Sequence, residues 1–352
     1  MRILGIETSC DETSAAVVEE TGDVSKPWAI RSNVIASQVP IHREWGGVVP
    51  ELASRQHIRD ICGVVERALE EAETTWTDLG AVAVTQGPGL VGSLLVGVSF
   101  AKGAAATANL PLVGVHHLAG HIESLVLQNG EMPLPAVVLV VSGGHTSLYV
   151  VERPGHYELI SRTRDDAAGE AYDKVAKLLG LGYPGGPIID KLAKHGNDRA
   201  VNLPTTRLTH ADRNAPELKG DLDFSFSGLK TAVLRHVRER QSSAGADFSP
   251  AEVADIAASF QRVVVTVLID RLFDAARRFG AKSVGVSGGV SANSRLREEL
   301  QRRGEAREIP TFLPSLKLST DNAAMIAAAG LRKFRAGITS PLDINADAAL
   351  AL

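Results

Sequence analysis

The sequence predicts an α/β protein built from two similar halves. Two repeated patterns carry the prediction. Strand, polar turn, strand occurs at residues 2–6, Thr8-Ser9-Cys10-Asp11-Glu12-Thr13 and 14–20, and again at 137–141, Ser142-Gly143-Gly144-His145-Thr146 and 147–151. Strand, glycine loop, helix occurs at 81–85, Gln86-Gly87-Pro88-Gly89 and 91–106, and again at 283–286, Gly288-Gly289 and 294–302. The repeated order reads as an internal duplication. At 352 residues the chain has room for two packed domains.

The remaining elements follow from periodicity and end signals. Residues 51–72 are amphipathic at helical spacing. Residues 251–279 place Val253, Ile256, Ala257, Phe260, Val264, Val267 and Leu268 on one side, and Gly280 suits the position just past the helix end. Residues 321–332 are alanine-rich, with Ser319, Thr320 and Asp321 as candidate N-caps. Residues 196–226 are polar and carry prolines (Asn202-Leu203-Pro204, Asn214-Ala215-Pro216), as an irregular insertion would. These readings give one half of 1–130 plus about 321–340 and a second of 131–320, with an insertion near 190–250. The segment after Ser340 carries no element signal and reads as loose.

Composition excludes several classes. The chain is 44% hydrophobic and 22% charged, an ordinary globular balance. Cys10 and Cys62 are its only cysteines, too few for a disulfide framework or a cysteine-rich zinc module. No secretory h-region and no run of 18 apolar residues is present. The expectation is therefore a cytoplasmic protein with no membrane partner. A net charge of −4 does not suit bulk-charge binding of nucleic acid. The clusters Arg271, Arg277, Arg278 and Arg295, Arg297, Arg302, Arg303 read as solvated helix faces.

The polar turns carry the chemistry. A strand that ends in Ser-Gly-Gly lets backbone N–H groups approach an anion with no Cβ in the way. Two such loops, at Val141 to Thr146 and Val286 to Asn293, with the turn at Thr8 to Thr13, suggest a gripped nucleotide or phosphate compound.

A second constellation is His116-His117-Leu118-Ala119-Gly120-His121. On a helix, His117 and His121 share a face and come within chelating reach of one divalent ion. The zinc-protease pattern needs Glu directly after the first His, and Leu118 stands there instead. A third ligand must come from elsewhere. Asp321 is a candidate, with simple N-capping as its alternative.

Paired α/β halves that each open with a phosphate-sized hairpin turn resemble the superfamily of actin, heat-shock ATPases and sugar kinases (ASKHA). That resemblance implies a nucleotide cleft between the halves. Longer motifs narrow it: Gly5-Ile6-Glu7-Thr8-Ser9-Cys10-Asp11-Glu12-Thr13, Gly46-Gly47-Val48-Val49-Pro50-Glu51, the His116 to His121 run, Asp165-Asp166-Ala167-Ala168-Gly169-Glu170-Ala171-Tyr172-Asp173-Lys174, Tyr183-Pro184-Gly185-Gly186-Pro187, Phe224-Ser225-Phe226-Ser227-Gly228-Leu229-Lys230 and Ser319-Thr320-Asp321-Asn322. In these the chain resembles the tRNA threonylcarbamoyladenosine transferase (TsaD) family, once described as O-sialoglycoprotein endopeptidases.

The resemblance implies transfer of a threonylcarbamoyl group from threonylcarbamoyl-adenylate to the exocyclic amine of the adenosine 3′ of the anticodon, in tRNAs reading codons that begin with A. AMP is released. It implies one divalent metal, Fe2+ with Zn2+ as the alternative, on residues matching His117, His121 and Asp321. Val140, Val141, Ser142, Gly143 and Gly144 match a phosphate loop, with His145 at the carbamoyl end. Asp173, Gly186, Asp190 and Asn293 match nucleoside positions, and Asp11 and Glu12 are the candidate catalytic residues. Asn293 has helix capping as its alternative, and Asp173 a pairing with Lys174 or Lys177. The implied partners are tRNA, the paralogue TsaB as a heterodimer and the ATPase TsaE.

Three other readings compete: a metal-dependent nucleotide hydrolase or kinase of the same superfamily, a metalloprotease, and a dead scaffold. The missing Glu beside His117 argues against the protease. The presence of both histidines and Asp321 argues against the scaffold.

Overall fold

Apolar runs bounded by polar turns form two five-stranded sheets in a computed structural model that describes residues 1–206, 208, 220–244 and 248–352. The first sheet begins as a meander of β1 (Arg2–Glu7), β2 (Glu12–Glu20) and β3 (Trp28–Ser37). Helices α1 (Val39–Arg43) and α2 (Pro50–Glu71) follow, then β4 (Leu79–Gly87), α3 (Val91–Ala108), β5 (Leu112–His116) and α4 (His117–Asn129).

The second sheet repeats the plan with β6 (Ala136–Val141), β7 (Thr146–Arg153) and β8 (His156–Arg162). Next come α5 (Ala168–Leu178), α6 (Gly185–Ala193), α7 (Ser227–Ala244), α8 (Pro250–Arg278), β9 (Ser283–Ser287), α9 (Ser294–Glu305) and β10 (Thr311–Phe312). The short α10 (Leu316–Ser319) and α11 (Ala323–Arg335) complete the described elements.

The strand orders are β3-β2-β1-β4-β5 and β8-β7-β6-β9-β10. In each sheet the first hairpin is antiparallel and the two following strands join in parallel. One topology built twice is the duplication that the sequence patterns predict.

Contacts divide the chain into two units. One comprises Met1–Met132, Glu152–Tyr157 and Leu313–Leu352; the other comprises Pro133–Val151 and Glu158–Phe312. Of the insertion expected near 190–250, residues 207, 209–219 and 245–247 lie outside the described residues, and so does the predicted turn at Asn214-Ala215-Pro216. Its described part includes the regular helix α7.

In the first unit β1 is buried on both faces, as a strand covered by helices should be. Ile3 packs with Ala81, Ala83 and the α11 residues Ala323 to Ala329. Leu4 and Ile6 face the other way, toward Val64, Val65 and Ala68 of α2 and Val98 and Ala101 of α3. Helix α11 approaches unusually closely. A Cβ on Gly5 would collide with the Ala323 carbonyl and lie 2.7 Å from Ala327 N.

The start of α11 is pinned by three side chains. Ser14 Oγ accepts Ala323 N (2.9 Å), Asn33 Oδ1 accepts Ala324 N (3.3 Å) and Asn322 Oδ1 accepts Met325 N (3.1 Å). The cap of α11 is therefore Asn322, and Asp321 stands just ahead of it instead of opening the helix. Helix α3 is long and apolar enough to cross a membrane, and one third of it is buried. Its inner residues Leu94, Val98, Ala101 and Ala105 are buried.

The segment after Ser340 is not loose. Ser340 N bonds Leu112 O at 2.7 Å, Ile344 is buried, and Asp347 N bonds Gln86 O at 2.9 Å. The sequence hides this because backbone groups make most of these contacts, and they leave no side-chain pattern.

Candidate metal and phosphate sites

Helix α4 begins at His117, so the two histidines stand one turn apart, with ring centroids 4.7 Å apart. The loop before α11 brings Asp321 to them. Asp321 Oδ1 lies 3.5 Å from His117 Nε2 and 3.2 Å from His121 Nε2. One ligand atom from each of the three residues fits within a 4.8 Å set. His116 is not part of it. Its Nδ1 accepts Leu118 N at 3.1 Å and caps α4.

Glu7, which the sequence reading did not single out, completes the arrangement. It is fully buried at the end of β1, and its Oε2 lies 2.9 Å from His117 Nδ1. Thr85 Oγ1 donates to the same oxygen at 2.7 Å, and Ser9 Oγ lies 3.2 Å from His117 Nδ1. A carboxylate inside an otherwise apolar strand was the available signal, since a buried charge needs a partner. Burial pushes the Glu7 carboxyl up, but the charge and hydrogen bond of His117 outweigh it and hold the pKa below the ordinary range. Burial pushes His117 down, while Asp321 and Glu7 together raise it to about 9. Two carboxylates thus demand a cation at this imidazole.

His121 is completely buried; its Nε2 faces Asp321 Oδ1 at 3.2 Å, and its Nδ1 has no hydrogen-bond partner among the described residues. Burial pushes its pKa down against the pull of Asp321. Two imidazoles and a carboxylate, one imidazole backed by a second carboxylate, fit a divalent Fe or Zn ion and suit Mg2+ poorly. Beside the cluster, Asp11 is buried and Glu12 opens β2, where Ser37 Oγ donates to its Oε1 at 3.4 Å. Burial, then Asp11 and Asp321, push the Glu12 carboxyl well up.

The second unit carries the glycine loops. Val140 and Val141 are wholly buried and paired with Ser147 and Thr146 of β7, so only their backbones serve the loop. Ser142 N bonds His145 O at 2.8 Å, and His145 N bonds Ser142 Oγ at 3.2 Å, which closes the turn. Gly143 and Gly144 are exposed, and a Cβ on either would meet nothing within 4 Å. Their freedom therefore serves no packing need, and the space beside them is open to a ligand. Gly186 is equally open. Gly288 differs: its φ is +89°, and a Cβ there would strike the Val141 carbonyl.

The three polar candidates are engaged within the unit. Asp173 Oδ1 accepts Gly185 N at 2.7 Å and joins α5 to α6. Asp190 Oδ1 accepts Ser294 Oγ at 2.9 Å. Asn293 caps α9 through Leu296 N at 3.0 Å and donates to Gln261 Oε1 at 2.7 Å. Capping, the alternative noted for Asn293, is what its side chain does. Lys174 pairs with Asp166 and Glu170 rather than with Asp173.

A family model described as TsaD, tRNA N6-adenosine threonylcarbamoyltransferase, matches residues 29–328. The chain belongs to this family. It is 47% identical over an alignment of 381 residues to the tRNA N6-adenosine threonylcarbamoyltransferase of Koribacter versatilis, covering 99% of this chain and 98% of that one. It is 50% identical over 359 residues to the protein of the same name from Thermodesulfovibrio yellowstonii, covering 100% of both. The fold is also that of HypF from T. kodakarensis, at a TM-score of 0.60 and 14% identity over 96% of this chain and 48% of that one. Family membership favours the transferase over the nucleotide hydrolase.

Proposed function

We propose that the chain transfers a threonylcarbamoyl group from threonylcarbamoyl-adenylate to N6 of the adenosine 3′ of the anticodon and releases AMP. Membership of the transferase family, with His117, His121 and Asp321 all present and gathered, carries this reading. The bond formed joins N6 to the carbamoyl carbon, the bond broken joins that carbon to the phosphate oxygen, and the proton shed by N6 passes to solvent. AMP is a good leaving group, so no covalent enzyme nucleophile is required. The chain's work is positioning and charge stabilisation.

His117, His121 and Asp321 would hold one divalent ion, Fe2+ first and Zn2+ second. Such an ion supplies Lewis-acid polarisation or an anchor for the threonyl end. Glu7 orients His117 from behind. Asp11 and Glu12 orient the attacking amino group, Glu12 as a buried carboxyl whose surroundings favour its protonated form. The exposed glycine turn at Gly143 and Gly144 suits the departing phosphate. The target base has to leave the anticodon stack, which loop bases do readily.

TsaB and TsaE are the proposed partners. The outer faces of α3 and α2, where Val91, Leu95 and Ile58 are 55%, 42% and 63% exposed, suit cover by a paralogous subunit.

The test is transfer of labelled threonylcarbamoyl from its adenylate to unmodified tRNA, with partner proteins known to be active, beside an Asp321→Ala variant. Label with the intact chain alone is expected. Label with neither protein overturns the reading.

A further inference from the structure

Two chain turns fix the surroundings of His117, and one late segment lies against both. The first is the β4–α3 turn. Leu90 N bonds Ser9 O at 2.8 Å, and a Cβ on Gly89 would stand 2.6 Å from that same oxygen. This turn therefore holds Ser9, whose Oγ meets His117 Nδ1 at 3.2 Å. The second is the β5–α4 junction, where His116 Nδ1 accepts Leu118 N at 3.1 Å and starts the helix that carries both histidines.

Residues 341–350 reach both turns. Lys102 Nζ of α3 donates to Ile344 O at 3.1 Å, and the buried Ile344 side chain joins the core of the first unit. Gln86 bonds the segment twice: Nε2 to Asn345 O at 3.2 Å, and its carbonyl to Asp347 N at 2.9 Å. The Asp347 carbonyl then lies so close over Gly87 that a Cβ there would fall inside it. Gly89 N reaches Ala348 O at 3.4 Å. Finally His116 Nε2 donates to Leu350 O at 3.0 Å. With Nδ1 accepting and Nε2 donating, His116 is held in one neutral tautomer that ties the segment to the α4 cap.

We infer that segment 341–350 is a strap that positions the metal ligand His117, through Gly89 and Ser9 on one side and His116 on the other. The inference rests on the metal reading of His117, His121 and Asp321. The strap touches no ligand directly; it fixes where the two turns sit, as partners behind a metal ligand do. Its grip depends on glycine at position 87, because any side chain there would displace the Asp347 carbonyl.

The test is Co2+ binding, followed by ligand-field absorption and chelator competition, on the intact chain, a chain ending at Ser340 and Gly87→Ala. Co2+ affinity should fall about 10- to 100-fold on truncation and in the same direction for Gly87→Ala, with an altered spectrum. Leu300→Ala, a core change in the second unit, serves as a stability control. It should lower the melting temperature and leave the Co2+ spectrum unmoved. A folded truncated chain that binds Co2+ within twofold of the intact one, with the same spectrum, overturns the inference and leaves the metal reading standing. If the truncated chain does not fold, an unchanged affinity in Gly87→Ala overturns it equally. No Co2+ uptake by the intact chain sinks the metal reading and the strap with it.

Discussion

His117 Nδ1 lies 2.9 Å from Glu7 Oε2, and this contact turns the ring's other nitrogen toward Asp321. A ligand histidine backed by a carboxylate is fixed in orientation and made more basic. Glu7→Gln keeps the shape and removes the charge. It should weaken divalent-metal binding about 10- to 100-fold, measured by equilibrium dialysis, with little change in far-UV circular dichroism. Metal retained at intact-chain affinity would show that Glu7 serves folding alone.

Removing a ligand should act more sharply. His121→Ala removes a fully buried imidazole whose Nε2 stands 3.2 Å from Asp321 Oδ1. The expected result is loss of bound metal and of transfer at temperatures where the variant remains folded, with a lowered melting temperature from the cavity left behind. A variant still holding one equivalent of metal would remove His121 from the ligand set.

Glycines separate close approach from empty space. Gly5→Ala would press against the Ala323 carbonyl and Ala327 N at the start of α11, costing about 1–3 kcal/mol by urea unfolding. Because Asp321 lies one residue ahead of the Asn322 cap of α11, metal affinity should fall as well. Gly103→Ala on α3 meets nothing within 4 Å and should raise stability by about 0.5–1 kcal/mol. The reverse ranking would contradict close packing of α11 over Gly5 and open space beside Gly103.

What was readable in the sequence was local. The histidine pair could be found because helical spacing alone sets residues four apart on one face. The duplicated topology was readable because each half repeats its order of strand, turn and helix. Glu7 was not readable as a site residue, since its partner lies 110 positions away. Segment 341–350 was invisible because backbone carbonyls and the bare face of Gly87 hold it. Asn293 and Asp190 could be located, but no spacing rule shows whether such a side chain faces a ligand or a helix end.

Asp165 gives a pH-dependent prediction. Its carboxylate accepts Phe226 N at 2.8 Å and Ser227 Oγ at 2.7 Å, which anchors the start of α7. Burial pushes this carboxyl up, but bonds from Ser225, Phe226 and Ser227 outweigh it and hold it below the usual range. A lowered folded-state pKa stabilises above the unfolded value near ~4 and is lost as pH falls through the folded value. Asp165→Ala should therefore cost about 1 kcal/mol at pH 7, the scale of a solvent-screened cap. The gap between the two proteins should narrow as pH drops from ~5 to ~3. A gap constant across that range would mean the carboxylate charge is irrelevant.

The helices of the second unit also bear on how an acidic chain meets an acidic substrate. Lys177 of α5, Lys191 of α6, Lys194 just past its end, and Arg235 and Arg238 of α7 are exposed. None of the five is in an ion pair among the described residues, whereas Arg164, Lys174, Arg240 and Arg295 of the same unit are all paired. Unpaired cations on adjoining helices suit a phosphodiester backbone, since each phosphate neutralised releases a counterion. Lys194→Glu with Arg238→Glu should weaken tRNA binding and flatten its dependence on log salt by about 0.7–0.9 per lost contact. Co2+ binding in the other unit should not change. An unaltered salt slope would move the tRNA footprint off these helices, onto another face or onto a partner subunit.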